Sequence, residues 1–162
     1  IKDVFFDPSM KREISCLYVG RCSDPNKRFD LLQNIEKYVV GPTGGSTSGN
    51  YLGLVNDVSL NQLYNSAKVV ALPSKFEGLG LPALEAMAAG AVPLVCKDNP
   101  NSVLCPDFCV AEPTVESVTS TYNHFTHYQS VIVDEWTSWI QQKFSKFSIA
   151  ENIVELFENY NS

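Results

Sequence analysis

A chain of 162 residues with 44% hydrophobic content can bury one ordinary core, so a second full domain is not expected. Its net charge of −6 argues against nucleic acid as the main partner. No apolar run approaches the roughly 18 residues that a membrane span needs. The five cysteines, at positions 16, 22, 96, 105 and 109, are odd in number and too scattered for a disulfide framework, and they read as buried or free thiols of a reducing compartment. Cys105 and Cys109 are four apart without a second pair, so no metal site is expected. His124 and His127 lack a partner ligand and read as two faces of a surface helix. The first residues carry no signal-peptide pattern, and a start at Ile1 in place of Met reads as a cut segment.

In chain order, short apolar runs alternate with amphipathic stretches. Strands are predicted over 15–20, 37–40, 51–54, 69–73, 92–96 and 108–111, several of them apolar throughout, as strands covered on both faces should be. Helices are predicted near 29–36, 59–67 and 82–90. Two more are expected near 128–144 and 148–160, where Ile149, Ile153, Leu156, Phe157 and Tyr160 recur at helical spacing. This alternation predicts an α/β fold, a Rossmann-like parallel sheet with helices on both faces. The stretch GPTGGSTSGN after residue 40 is an exception: it stands where a crossover helix would fall, barely meets the length a crossover needs, and reads as a flexible loop. It lacks a G-K-[ST] ending, which excludes a P-loop.

Ligands of such sheets bind beyond the carboxyl ends of the strands. Two segments there carry chemistry. Residues 73–90 read PSKFEGLGLPALEAMAAG, with Glu77 and Glu85 eight apart. One continuous helix would separate them by about 12 Å along its axis, but Gly78, Gly80 and Pro82 forbid that continuity. Pro82 suits the first helical position and Gly90 the residue just past the end. Glu77 is therefore expected in a loop and Glu85 in the early helix. The glycines let backbone approach a ligand, and the free N–H groups at the helix start favour an anion. Because carboxylates repel phosphate, Glu77 and Glu85 are better suited to accept hydrogen bonds from sugar and ribose hydroxyls.

The second segment, residues 18–32, reads YVGRCSDPNKRFDLL. Gly20 ends a strand, Arg21 follows it, and Lys27 comes after a Ser-Asp-Pro-Asn turn. Two cations at the ligand edge suit a diphosphate, Arg as a bidentate fork and Lys as a point charge. Surface salt bridges with Asp24 and Asp30 are an equally good use of them. Any anion site is expected towards the first forty residues, since residues 1–40 hold seven Lys/Arg against six Asp/Glu, while residues 91–162 hold three against nine.

Together these segments resemble the retaining glycosyltransferases of the GT-B fold that carry an E-x7-E motif (glycosyltransferase family 4-like), in their C-terminal donor-binding domain. The resemblance rests on G-R…K at 20–27, YLGLV at 51–55, LYNSAKVVALPS at 63–74, and the E-x7-E block at 77–85 followed by AMAAGAVPLV. It runs from about residue 17 to 98 and returns loosely over 135–160. It implies that Arg21 and Lys27 hold the diphosphate of a nucleoside-diphosphate sugar and offset leaving-group charge. It further implies that Glu85 binds the ribose and Glu77 faces the donor sugar. Backbone N–H groups of Gly80 and Leu81 would approach the distal phosphate or sugar, Gly20 would shape the first turn, and the base would lie against the loop after Leu54, at the backbone of Val55. No metal and no cofactor are implied. The acceptor, a sugar or glycan, would be held by an N-terminal domain absent from this chain, with residues 1–10 as the end of a linker and 11–162 as the donor domain. The location implied is the cytoplasm, including its membrane face through the absent domain.

Three departures stand out. Arg28 replaces a usual Gly after Lys27, one extra residue separates Arg21 from Lys27, and KDNPNSV at 97–103 lacks the usual glycines. Two other readings compete. In a nicotinamide dehydrogenase, Gly78, Gly80 and Ala83 would form G-x-G-x-x-A with Asp98 on the ribose, but that fingerprint should turn directly off the first strand. In a non-catalytic nucleotide-sugar-binding or assembly module, the donor would be held and never transferred, since one such domain cannot close over its substrate as a two-domain cleft does.

Overall fold

The computed structural model of the protein describes residue 7 and residues 9–42, 48–78 and 80–127. The chain divides into two compact units, Ile1–Tyr128 and Gln129–Ser162, and every described residue lies in the first. The helices expected near 128–144 and 148–160 lie outside the described residues.

Six strands form one parallel sheet: β1 (Ile14–Val19), β2 (Tyr38–Val40), β3 (Asn50–Gly53), β4 (Ala67–Leu72), β5 (Val92–Cys96) and β6 (Val110–Ala111). Their order is β3-β2-β1-β4-β5-β6. The chain thus builds outwards from β1 to β3, then crosses back to β4 and builds the other way. β1 and β4 flank the point where the order reverses, the place where a doubly wound sheet opens a crevice for a ligand. Consecutive residues of the central strands are buried on both faces, with Cys16, Leu17, Val69, Val70 and Ala71 all fully buried. This is why β1, β4 and β5 read as unbroken apolar runs.

Three α-helices accompany the sheet: α1 (Asp57–Ser66), α2 (Leu81–Ala88) and α3 (Val115–His127). Asn56 caps α1, its side chain accepting from the N–H of Ser59 at 2.9 Å. Arg12 closes the other end, donating to the carbonyls of Ala67 at 2.5 Å and Tyr64 at 3.4 Å, and to Ala89 just past α2 at 2.6 Å. One guanidinium therefore satisfies orphan carbonyls of both helices. Among the described residues, no helix is long and apolar enough to cross a membrane.

The helix expected near 29–36 is not an α-helix. Two 3-10 turns, Pro25–Lys27 and Phe29–Leu32, take its place. Lys37 supplies the reason. Its side chain is 1% exposed, and its Nζ donates to the carbonyls of Leu32 at 2.8 Å and Ile35 at 3.0 Å. The Leu32 carbonyl is one that a helix over 29–36 would have bonded to its own N–H at position 36. The strand expected over 108–111 is shortened likewise, since Asp107–Cys109 is a 3-10 turn and only Val110 and Ala111 pair with β5. α3 was not among the predicted elements as a whole, although His124 and His127 do fall on it. It packs on β4, β5, β6 and the Phe29–Leu32 turn, with Val118 and Phe125 buried.

Candidate functional site at the β1–β4 edge

Both chemistry-bearing segments follow the two strands that flank the crevice. Residues 20–28 leave β1, and residues 73–80 leave β4. Close approach of the strand ends demands glycine here: a Cβ on Gly41, at the end of β2, would lie 2.2 Å from the Gly20 carbonyl oxygen. Gly20 in turn donates its N–H to Val40 at 2.8 Å.

The two segments are fastened to each other. The Asn26 side chain donates to the Phe76 carbonyl at 2.7 Å and accepts from the Phe76 N–H at 3.0 Å. The Asn26 carbonyl accepts from the Lys75 N–H at 2.9 Å. Lys27 Nζ meets Glu77 Oε1 at 2.5 Å, with both side chains about four-fifths buried (22% and 17% exposed). Thus the expected diphosphate lysine and the expected sugar carboxylate are held together as an ion pair. Their partial burial reduces the solvent screening that weakens exposed pairs.

Arg28 is the next residue and the sole non-glycine with a positive φ among the described residues, at φ 46° and ψ 45°. That conformation costs an ordinary residue roughly 1–2 kcal/mol, which explains why glycine would suit the position. Arg28 persists there through its contacts. Its Nε donates to the Pro73 carbonyl at 2.7 Å, and its two terminal nitrogens fork onto Asp98 at 2.7 and 2.9 Å. The hydrogen bonds from Arg28 hold the Asp98 carboxyl below its ordinary pKa. Asp98 is therefore engaged by an arginine, and the G-x-G-x-x-A turn follows β4 rather than β1. Both facts disfavour the dehydrogenase reading.

Glu85 lies midway along α2, half-buried, and accepts a hydrogen bond from Tyr64 Oη at 3.0 Å. Tyr64 is fully buried on α1, and its phenol is driven well above the usual range, first by burial and then by the Glu85 charge. Its hydroxyl stays a donor, fixing the carboxylate's direction. Tyr64 lies within LYNSA, and no residue pattern marks its role, because its aim at Glu85 depends on how α1 packs beside α2.

Arg21 projects from the end of β1, exposed, with no side-chain partner among the described residues. Val55 lies partly exposed in the loop after β3, just before the α1 cap. β3 is two strands away from β1, a lateral offset of about 10 Å. A cavity of about 450 Å³ opens beside the β1 turn, lined by Cys22, Asp24, Phe29, Asp30, Gln33 and Ser48 among others.

Gly80 caps α2 in the left-handed region, at φ 60° and ψ 40°, ahead of Leu81 and Pro82. A Cβ there would lie 2.5 Å from Asn101 Nδ2, a buried amide nitrogen with no hydrogen-bond partner among the described residues. Gly80→Ala is expected to destabilise the fold by about 1–2 kcal/mol from backbone strain alone. Urea denaturation checks this, and an unchanged midpoint would rule out the left-handed cap.

The strand order and the loops at its reversal define a Rossmann-like α/β domain with a ligand edge at β1 and β4. Comparison with known proteins shows a stretch similar to glycosyltransferases and an overall fold like that of solved glycosyltransferase structures. Residues 43–107 match the family described as glycosyl transferases group 1. The O-antigen chain mannosyltransferase B of Escherichia coli is 52% identical over 48 residues, 30% of this chain and 12% of that protein. An uncharacterized 41.2 kDa protein in the cps region of Klebsiella pneumoniae is 27% identical over 175 residues, covering 93% of this chain and 48% of that one. Among solved structures, Anabaena Alr3699/HepE in complex with UDP superposes with a TM-score of 0.70 at 17% identity, covering 89% of this chain and 48% of that chain. The chain thus spans about half the length of these two proteins.

Proposed function

We propose that this chain is the donor-binding half of a retaining glycosyltransferase. In this reading it holds a nucleoside-diphosphate sugar at the β1–β4 edge, and a hexosyl group passes to a sugar or glycan acceptor bound by another half. Arg21 and Lys27 take the diphosphate, and Glu85, aimed by Tyr64, takes the ribose hydroxyls. The Gly80 and Leu81 N–H groups at the start of α2 face the distal phosphate or sugar, where fixed donors stabilise developing charge. Glu77 accepts from a sugar hydroxyl, the base rests on backbone at Val55, and Gly20 keeps the first turn close. Residues 1–10 serve as the end of a linker and 11–162 as the donor domain, working in the cytoplasm without a metal.

One observation carries the reading: residues from the two segments, 50 positions apart, meet at the strand-order reversal, with Lys27 on Glu77 at 2.5 Å. A complex of Anabaena Alr3699/HepE with UDP-glucose supplies a precedent on the same fold. The alternative reading is a module that binds the donor without transferring it.

A thermal-shift screen of UDP, GDP, ADP and their sugars tests the donor site. A ligand at a hundred times its Kd stabilises by about 2.7 kcal/mol, a Tm rise of roughly 5–10 °C for a chain of this size. No shift with any nucleoside diphosphate would sink both readings. A shift without transfer, once the acceptor half is supplied, would select the non-catalytic module.

A further inference from the structure

We propose that Arg28 and Asp98 form a positioning pair that fixes the backbone of Lys27 at the ligand edge. The inference starts from a conflict. A left-handed backbone at Arg28 favours glycine, yet the chain places there a long charged side chain. What that side chain does answers the conflict. It reaches the carbonyl of Pro73 at the end of β4 and forks onto Asp98 just beyond β5. One residue thus ties the β1 turn to the ends of two further strands.

Lys27 immediately precedes this anchor, and its backbone N–H is held by the Asp24 carbonyl at 2.9 Å. With Asp24–Asn26 fastened on one side and Arg28 on the other, little backbone freedom remains to Lys27. A glycine at position 28 would adopt the same turn but lose the ties to Pro73 and Asp98. Arg28 therefore adds a second fastening to the one that Asn26 makes. Its own guanidinium is spent on Asp98 and Pro73, which makes it a positioning residue rather than an anion ligand. The benefit to a bound diphosphate rests on the donor reading above; the hold on Lys27 does not.

The test uses the full chain as Arg28→Gly, Asp98→Asn, the double variant and Arg28→Lys, with circular dichroism confirming that each folds. Acylation of lysines by a small anhydride, read by mass spectrometry, reports Lys27 directly, and exposed Lys11 serves as the internal reference. Lys27 labelling is expected to rise severalfold in Arg28→Gly and Asp98→Asn, with partial return in Arg28→Lys and no change at Lys11. Unchanged Lys27 labelling in both single variants would overturn the proposal.

Calorimetry with UDP and GDP supplies the second readout. Both single variants should weaken binding by about fivefold or more, and the double variant no further, as residues acting through one network do. Tighter binding by Asp98→Asn would overturn the proposal by making Arg28 a phosphate ligand restrained by its partner. If Lys27 labelling rises as expected while no form, wild type included, binds a nucleotide, the positioning pair stands and the donor reading falls.

Discussion

Glu77→Gln is expected to lower turnover by about 10–150-fold, the equivalent of the 1.5–3 kcal/mol that a charged hydrogen bond contributes, while nucleoside diphosphate binds at least as tightly as before. The two effects have opposite signs for one physical reason. Glu77 is paired with Lys27 at 2.5 Å, so in the free protein it competes with phosphate for that ammonium. Glutamine keeps the shape and an acceptor oxygen but removes the charge. Lys27 is then released to a diphosphate, and the donor sugar loses a charged acceptor. Steady-state kinetics with the acceptor half supplied, beside calorimetry with UDP or GDP, separates the two quantities. Unchanged turnover would remove Glu77 from the mechanism. Weaker nucleotide binding would show that the pair does not compete with phosphate.

Arg21→Ala is expected to weaken nucleoside diphosphate binding by a similar factor, again about 10–150-fold, and to leave stability within about 0.5 kcal/mol. Arg21 is exposed, and its side chain makes no hydrogen bond or ion pair among the described residues. Its removal therefore strands no polar partner among them. Arg21 differs in this from Lys27 and Arg28, whose side chains each secure the site. Because the variant should fold as the wild type does, lost affinity can be assigned to the missing fork. Equal affinities by calorimetry would rule out the assignment of Arg21 to the diphosphate.

The strands were the most legible part of the molecule. β5 falls on the residues expected of it, and β1 to β4 lie within two residues of expectation at each end. A strand covered on both faces must be apolar along its whole length, and a short window of sequence reveals that. The segment near 29–36 shows the limit of the same reasoning. Phe29, Leu31, Leu32 and Ile35 do recur at helical spacing. Yet Lys37 captures the Leu32 and Ile35 carbonyls, and Arg28 turns left-handed at the start. A lysine that bonds backbone carbonyls leaves no trace in residue pattern.

The site divides in the same way. The Gly80–Pro82–Gly90 punctuation around α2 was readable, since a missing N–H and a positive φ are local demands. The replacement of a usual Gly by Arg28 was visible as a departure, and its cause was not. That cause lies at Pro73 and Asp98, 45 and 70 residues further along. Tyr64 was likewise in plain view within its motif, but its aim at Glu85 depends on how α1 packs beside α2.

By itself, then, the sequence determined where the strands lie, which turns follow them, and which charged residues those turns and the helix after them carry. Backbone sterics and burial act over a few residues and are written locally. Only the tertiary structure decided which of those charges meet. Lys27 finds Glu77, and Arg28 finds Asp98, because β4 returns to lie beside β1 with β5 next to it. That adjacency comes from how the whole sheet buries its faces, and no single segment carries it.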